Sequence, residues 1–205
     1  EEEPFPLTER DKVALSQTDE EFQLHTWDEL KTVIATNTIN VLTRKPSQVR
    51  AYIDWCRQIK REYGSISNYL TEHRLPWGPP PCAYLSSVPL SGLDDYLILM
   101  NDWPYGFTSD ITHIVVWSKT PIATDDENGG MTDESRRVLG DFVKRTFVDR
   151  LGGDQERVLW FKNWVHLQSV RALEHFHVLV RNASKEDLEF WTGKQQGRNA
   201  GPASR

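Results

Sequence analysis

The pattern of apolar and polar residues predicts four β-strands in the second half of the chain. Each is a short apolar or alternating segment, the pattern typical of buried or half-buried strands. The four segments span residues 95–101, 111–119, 158–165 and 172–181. In the last of them His175 and His177 share one face, because side chains alternate with a period of two. The pattern therefore predicts a sheet that carries two neighbouring histidines.

Helical periodicity and capping residues predict the helices. Thr26 begins a capping box for a helix that runs to about Thr36, and Ser47 is expected to cap a longer helix that ends at Gly64. A third helix follows Thr132, and a short one is expected from residue 184 to residue 191. Helices followed by a β-β-α-β-β order favour an α+β fold with an antiparallel sheet.

The sequence predicts a single domain that spans residues 25–192. The composition of the two ends of the chain differs from that of this domain. Residues 1–24 are acidic, contain proline and show weak periodicity, which is typical of a flexible or loosely docked arm. Residues 193–205 are polar and rich in glycine, so a disordered tail is predicted there.

Charge and cysteine content narrow the possible functions. The formal net charge of −6 gives no overall electrostatic attraction for nucleic acid, so any such contact needs a local basic patch. The two cysteines, Cys56 and Cys82, form no CxxC pair, which favours a reducing compartment, taken here as the cytoplasm, without disulfides or a cysteine-zinc site. No apolar run reaches the roughly 20 residues that span a bilayer, so no membrane contact is expected.

One local basic patch does exist. Between residues 44 and 74 there are seven basic residues against three acidic ones. Four of the basic residues lie opposite the apolar side of the predicted helix: Arg50, Arg57, Lys60 and Arg61. This surface is either an ordinary solvated helix face or a docking surface for a polyphosphate such as tRNA.

The candidate catalytic residues are three histidines and one aspartate: His113, His175, His177 and Asp102. Strand spacing puts the imidazoles of His175 and His177 about 7 Å apart, which suits shared work on a substrate. The alternative is a half-buried strand whose histidines bond to neighbours and an Asp102 that stabilises its turn. A zinc site lacks a supporting HExxH or cysteine ligand, and Ser169 lacks a GxSxG elbow, so no metal or cofactor is predicted.

The order of motifs resembles the histidine-triad (HIT-like) superfamily. The matching motifs are NDWPYG, HIVVWSK, a helix, WFKNW, QSV and HFHVL, and the matching residues are His113, Lys119, Asn163, Gln168, Ser169, Val170, His175 and His177. The resemblance implies a HIT-like antiparallel sheet with packed helices and a helical N-terminal segment. Three extra residues separate QSV from the histidines, and one position of the triad is a leucine, either Leu173 or Leu179. The nucleophilic middle histidine is His175 in one register and His177 in the other.

A second resemblance covers about residues 26–191. TWDELK, REYGSISNYL, LMNDWPYGF, HIVVWSK and LEHFHVLV resemble the fungal N-acetylglucosamine-induced protein family. That family is similar to the fungal arginine-containing cyclodipeptide synthases, which join arginine from arginyl-tRNA to a second aminoacyl residue. The resemblance implies that aminoacyl-tRNAs are the partners and cyclo-Arg-Xaa diketopiperazines are the products.

Such an activity assigns roles to the candidate residues. His175 and His177 would move protons, and a buried carboxylate, Asp102 or Glu174, would bind the substrate guanidinium. Aromatic and amide side chains would line the substrate pocket: Trp103, Tyr105, Trp117, Trp160, Asn163 and Trp164. The basic helix face would bind tRNA phosphates. The alternatives are a HIT-like nucleotide hydrolase or transferase, and a non-catalytic, sugar-induced regulatory protein. Oligomeric state does not follow from the sequence.

Overall fold

A four-stranded antiparallel sheet forms the centre of the fold. The computed structural model describes residues 7–125 and 130–196. The strands are β1 (Tyr96–Met100), β2 (Ile111–Ser118), β3 (Val158–Phe161) and β4 (Glu174–Arg181). They lie in the order β1-β2-β4-β3. The predicted α+β class with an antiparallel sheet is confirmed, while the predicted third strand is shorter because the chain leaves the sheet after Phe161.

Six α-helices surround this sheet in the part of the chain that the structure describes. They are α1 (Glu9–Leu15), α2 (Trp27–Ala35), α3 (Pro46–Tyr63), α4 (Ile66–His73), α5 (Asp133–Val143) and α6 (Lys185–Gln196). Helix α5 continues through a π-helical segment, Lys144–Val148, and the chain then turns at Gly152 in the left-handed conformation. The sequence analysis missed α1 and α4 and made α6 too short.

The two faces of the sheet are buried against different helices. One face carries Ile114, Val116, Phe176 and other apolar side chains that pack with α5 and with Trp191 of α6. The opposite face packs against α2 near β3 and against α4 near β1. His113, His175 and His177 belong to this second face. The alternation along β4 therefore separates a mainly apolar layer from a layer that holds the three histidines.

Residues 7–24 of the predicted flexible or loosely docked arm lie against the domain, and residues 1–6 lie outside the described part of the chain. Thr8 caps α1 through a reciprocal pair of hydrogen bonds with Asp11, and Ala14 packs with Val49 and Ile53 of α3. Asp19 accepts hydrogen bonds from the backbone N–H of Ser47 at 2.8 Å and from its hydroxyl at 2.5 Å. The segment is therefore docked on the domain.

The start of α3 differs from the prediction. Pro46 occupies the first turn, and Lys45 rather than Ser47 is the N-cap residue. Pro46 suits this place because its fixed φ is helical and its missing N–H would have had no helical partner. The predicted cap at Thr26 is confirmed, since its side chain accepts a hydrogen bond from Glu29 N.

The predicted tail falls partly inside the described residues. Helix α6 extends to Gln196, beyond the boundary predicted at residue 192. Residues 197–205 lie outside the described part of the chain. None of the helices in residues 7–125 and 130–196 is both long and apolar enough to cross a bilayer.

The fully buried ring of Phe176 provides a test of this packing. Phe176→Ala should lower the free energy of unfolding by about 3–5 kcal/mol, because the ring leaves a cavity between β4 and α5. Urea denaturation measures the change. Leu85→Ala is the control, since Leu85 is 81% exposed and its truncation should change stability by about 0.5 kcal/mol or less. Equal effects of the two substitutions would contradict the described core.

Candidate functional site

A cavity of about 420 Å³ opens on the histidine-bearing face of the sheet. Its walls come from β1, β2 and β4, from the first turns after β1 and β3, and from α1, α3 and α4. His175 and His177 lie on its sheet side, and His113 is buried directly behind His177. The register of the strands creates this cluster, because Trp117 lies opposite His175 and Val115 lies opposite His177.

The hydrogen bonds of His113 and His177 fix their neutral forms. The backbone N–H of Tyr105 donates to Nδ1 of His113 at 3.2 Å, so the proton of neutral His113 is on Nε2. This Nε2–H donates to Nδ1 of His177 at 2.9 Å, which leaves the His177 proton on its own Nε2. The amide nitrogen of Asn101 is 3.2 and 3.4 Å from the two His113 nitrogens, so it lies over the ring face. His177 therefore has a positioning role within a continuous hydrogen-bonded chain.

Asn163 ends this chain at the cavity. Its amide group lies 3.3 Å from Nε2 of His177 and 2.9 Å from the Tyr105 hydroxyl. The Nε2–H of His177 needs an acceptor, so the amide oxygen belongs on this side of the side chain. The other amide atom then has no hydrogen-bond partner among the described residues. Asn163 lines the cavity, and this atom is a buried polar group that lacks a partner there.

His175 differs from the other two histidines. Its Nδ1–H donates to the backbone carbonyl of Leu173 at 2.9 Å, so the lone pair of the neutral ring is on Nε2. The ring packs against Trp117, with ring centroids 4.7 Å apart. Within the described residues, Nε2 has no hydrogen-bond partner. A neutral imidazole held in this way can accept a proton or attack an electrophile.

Burial keeps all three histidines neutral. It lowers the pKa of His175 to about 4 and the pKa of His113 to about 3. Burial also lowers the pKa of His177 well below its ordinary value, and the positive charges of Arg44 and Arg10 contribute to this shift. Desolvation disfavours the charged imidazolium, so each ring is a base without a proton at neutral pH.

Two arginines missed by the sequence analysis face the same group of residues. The guanidinium of Arg10 lies 5.5 Å from the centre of the Tyr105 ring, and that of Arg44 lies 5.2 Å from it. Burial alone raises the pKa of the Tyr105 phenol, but the positive charges of Arg10 and Arg44 and the hydrogen bond that Arg10 donates to the hydroxyl lower it. The cavity is therefore a positively charged environment in an acidic protein.

An aromatic wall completes the site. The rings of Tyr52, Trp55 and Trp103 contact one another, with centroid separations of 5.3–5.9 Å. Arg44 stacks on Tyr52 at 4.2 Å, and the Tyr52 hydroxyl donates to Ser169 at 2.8 Å. Trp55 and Trp103 remain partly exposed, so flat groups of a ligand have faces to stack against.

The structure brings together most of the predicted site residues. Those in or directly against the cavity are His113, His175, His177, Asp102, Trp103, Tyr105, Trp117 and Asn163. Asp102 is not the buried carboxylate that was expected. Its side chain is 54% exposed at the rim, where Arg74 donates to it at 2.9 Å.

Three predicted substrate-binding residues lie elsewhere. Trp160 packs against Phe176 on the opposite face of the sheet, because it is paired with Val178. Trp164 follows the end of β3 and donates to Asn37. Glu174 also points away from the histidines, and its carboxylate lies 3.3 Å from the buried Lys162 ammonium without hydrogen-bond alignment.

The predicted tRNA-binding residues lie on α3, outside the cavity. Arg50, Arg57 and Arg61 follow one another at spacings of seven and four residues, so they share one side of the helix. Arg57 forms an ion pair with Asp54 at 2.9 Å. Lys60, three residues after Arg57, is exposed to solvent. The four residues form a surface next to the cavity wall that Tyr52 and Trp55 contribute from the same helix.

The three histidines form a hydrogen-bonded group rather than a ligand set. Across residues 7–125 and 130–196, no group of three or more His, Cys, Asp or Glu side chains is arranged to hold a metal ion. The lone pair of His113 and that of His177 are both used in hydrogen bonds, which leaves only His175 with a free nitrogen.

Comparison with known proteins identifies the family. Residues 26–181 match the family described as "Protein of unknown function (DUF3605)". The chain belongs to the DUF3605 family. The matched region contains the whole sheet and all three histidines, while α1 with Arg10 precedes it.

Two fungal relatives support this assignment. N-acetylglucosamine-induced protein 1 of Candida albicans is 28% identical over 181 residues, covering 80% of this chain and 71% of the relative. An uncharacterized protein of Saccharomyces cerevisiae is 26% identical over 163 residues, covering 78% and 81% of the two chains. The predicted resemblance to the N-acetylglucosamine-induced proteins is confirmed.

A solved structure shares the fold. The crystal structure of HTC1 matches with a TM-score of 0.66 and 21% identity, and the match covers 87% of this chain and 99% of that chain. At this identity the likeness concerns the fold alone. The fold of this DUF3605 chain therefore also occurs in an experimentally solved protein.

The hydrogen-bond network predicts the tautomer of each buried histidine. At pH 7, ¹⁵N NMR of the imidazole nitrogens should show neutral rings with protons on Nε2 of His113 and His177 and on Nδ1 of His175. Substitution of each histidine in turn assigns the signals. A proton on Nε2 of His175, or a charged ring at this pH, would contradict the assigned network.

The lowered histidine pKa values predict a loss of stability in acid. The unfolded chain takes up protons below about pH 6.5, while folded His175 resists protonation until about pH 4, so stability falls as the pH drops between these values. By pH 5, His175 should account for about 2 kcal/mol of the loss in the free energy of unfolding. His175→Gln should remove this share in urea titrations at several pH values. Tyr52→Phe is the control, because burial raises the Tyr52 pKa and this phenol does not titrate in the range. Identical pH profiles for His175→Gln and the unaltered chain would refute the assignment.

Proposed function

We propose that this DUF3605 chain is a tRNA-dependent arginine-containing cyclodipeptide synthase, acting in the cytoplasm. It would condense arginyl-tRNA with a second aminoacyl-tRNA into cyclo-Arg-Xaa. The observation that carries the proposal is the pairing, in one cavity, of a neutral imidazole with a free Nε2 and two guanidiniums that make no ion pair with the described carboxylates. Acyl transfer from an aminoacyl-tRNA uses a base that moves the proton of the attacking amine and a positively charged site that holds the tRNA phosphates.

The proposed reaction uses His175 as the base. The amine of one aminoacyl group attacks the ester carbonyl of the other, so a C–N bond forms and the C–O bond to the tRNA ribose breaks. The proton lost by the amine passes through Nε2 of His175 to the departing ribose oxygen. A second attack by the remaining free amine closes the six-membered ring and releases the second tRNA. His113, His177 and Asn163 position the sheet side of the cavity during both steps.

The cavity also offers groups for the arginine side chain. Of the two carboxylates predicted to bind a guanidinium, only Asp102 lines the cavity, and it already accepts a hydrogen bond from Arg74. A substrate guanidinium could replace Arg74 there, since a carboxylate accepts two parallel N–H donors. The partly exposed rings of Trp55 and Trp103 offer faces for cation–π contact or for the second side chain.

Helix α3 gives the proposed tRNA a place to bind. The side of α3 outside the cavity carries Arg50, Arg57 and Arg61, and the side that lines the cavity carries Tyr52 and Trp55. A tRNA whose backbone follows the basic side would bring its acylated end toward the cavity. Such binding depends on phosphate contacts and is expected to weaken as salt concentration rises.

The free Nε2 of His175 also supports a second candidate, a HIT-like nucleotide hydrolase or transferase. An imidazole with Nδ1 held by a backbone carbonyl and Nε2 unoccupied is arranged for attack on phosphorus. This reaction would leave a nucleotidyl group on His175, would need no tRNA, and would be seen as a mass increase of the intact protein.

Mass spectrometry on a bacterial host that expresses the chain tests the proposed synthase. The host supplies charged tRNAs, so we expect a cyclo-Arg-Xaa mass in the extract that His175→Ala reduces at least 100-fold. His73→Ala is the matched control, because His73 is partly exposed on α4 and does not line the cavity.

Two outcomes would count against the synthase. A folded, well-expressed protein that yields no new diketopiperazine would favour the nucleotide chemistry or a non-catalytic, sugar-induced regulatory role. A product that persists in the His175→Ala variant would show that another group is the base. Circular dichroism of each variant establishes that the fold is retained.

A further inference from the structure

Arg10 and Arg44 are two positive charges that no carboxylate neutralises in the described part of the chain. They approach the buried Tyr105 ring at 5.5 and 5.2 Å, and neither makes an ion pair with a described aspartate or glutamate. The two carboxylates that line the cavity have other partners. Asp11 bonds to Thr8, and Asp102 bonds to Arg74.

Neutral groups hold the two guanidiniums in place. Arg10 donates from Nη1 to the Leu42 carbonyl at 2.9 Å, and Arg44 donates from Nε to the Trp103 carbonyl at 2.9 Å. Arg44 is further fixed by stacking on Tyr52. Both terminal nitrogens of Arg44 lack a hydrogen-bond partner among the described residues. Two ordered, partly buried cations with unused donors form a preorganised anion site.

The proximity of the two guanidiniums is electrostatically unfavourable, because like charges in a partly desolvated cavity repel. Burial lowers the pKa of His177, and the field of the two charges lowers it further. Bound anionic oxygens would remove this cost. Asn163, which lines the same cavity, has one buried amide atom without a partner among the described residues.

The geometry favours a phosphate group as the anion. A phosphate presents more oxygens than a carboxylate, arranged tetrahedrally, so it can accept hydrogen bonds from two guanidiniums that approach from different directions. The aromatic wall of Tyr52, Trp55 and Trp103 adjoins Arg44 and offers exposed faces to a planar base. We propose that Arg10 and Arg44 form a subsite for the phosphate of a nucleotide whose base stacks on Trp55 and Trp103.

This subsite extends the proposed function. Its occupation by the end of a tRNA rests on that proposed function. The phosphate would come either from the 3′-terminal nucleotides of a tRNA or from a free nucleotide. Arg10 lies on α1, which precedes residues 26–181 that match the family, so a segment outside the matched region completes the subsite. The subsite is separate from the α3 surface, which would bind more distant phosphates.

Titration of the full chain with AMP tests the subsite. Calorimetry gives the affinity, and quenching of tryptophan fluorescence reports contact with Trp55 and Trp103. Arg44→Met and Arg10→Met should each weaken AMP binding at least tenfold, because each removes one of two charged hydrogen-bonding groups. Arg136→Met is the matched control, since Arg136 is exposed on α5, which packs against the opposite face of the sheet, and does not line the cavity. Adenosine, which lacks the phosphate, should bind at least tenfold more weakly than AMP.

The remaining arms separate the possible outcomes. Absence of AMP binding, or binding that both arginine substitutions leave unchanged, would overturn the subsite. Inorganic phosphate that binds as tightly as AMP would overturn the nucleotide assignment. The trinucleotide CCA binding more tightly than AMP would indicate a tRNA end, and the reverse would indicate a free nucleotide. If thermal melting shows that Arg44→Met is unfolded, the AMP affinities of Arg44→Lys and Arg10→Met test the subsite instead. AMP binding without a cyclic dipeptide product would refute the synthase and leave the subsite standing.

Discussion

The antiparallel pairing of β2 with β4 positions both the core and the site. The two strands pair along their full length, from Ile111 opposite Arg181 to Ser118 opposite Glu174. Side chains alternate between the faces, so a slip of one residue would move the histidines into the apolar layer and Phe176 into the cavity. The helices on each side depend on this register, because each packs against only one kind of face.

The same pairing forces the histidines out of water and so determines their chemistry. A charged imidazolium in this layer would lose its hydration, so the three rings remain neutral. His113 donates a hydrogen bond to His177. His175 keeps one nitrogen free because its other nitrogen donates to the backbone carbonyl of Leu173, the residue before β4. The start of this strand thus fixes both the position and the orientation of the ring.

The sheet and its histidine face were predictable because period-two alternation is a local property of the sequence. Trp160 was assigned to the wrong face because the phase of the short β3 becomes clear only from its pairing with β4. Arg10 could not be found from the sequence, since α1 is short and its contacts to Leu42, Tyr105 and Leu167 join distant positions. Glu174 lies outside the predicted pocket because alternation along β4 turns it to the face opposite the histidines, and Lys162, its buried partner, gave no sequence signal.

The contacts of Arg10 also bear on the order in which the chain folds. Its three partners follow it by 32, 95 and 157 residues, so α1 leaves the ribosome long before the last of them is made. Interactions between such distant positions form late, because the intervening chain must first be ordered. Helix α1 is therefore expected to dock after the sheet has assembled, so a segment that is synthesised before the sheet reaches its place after it.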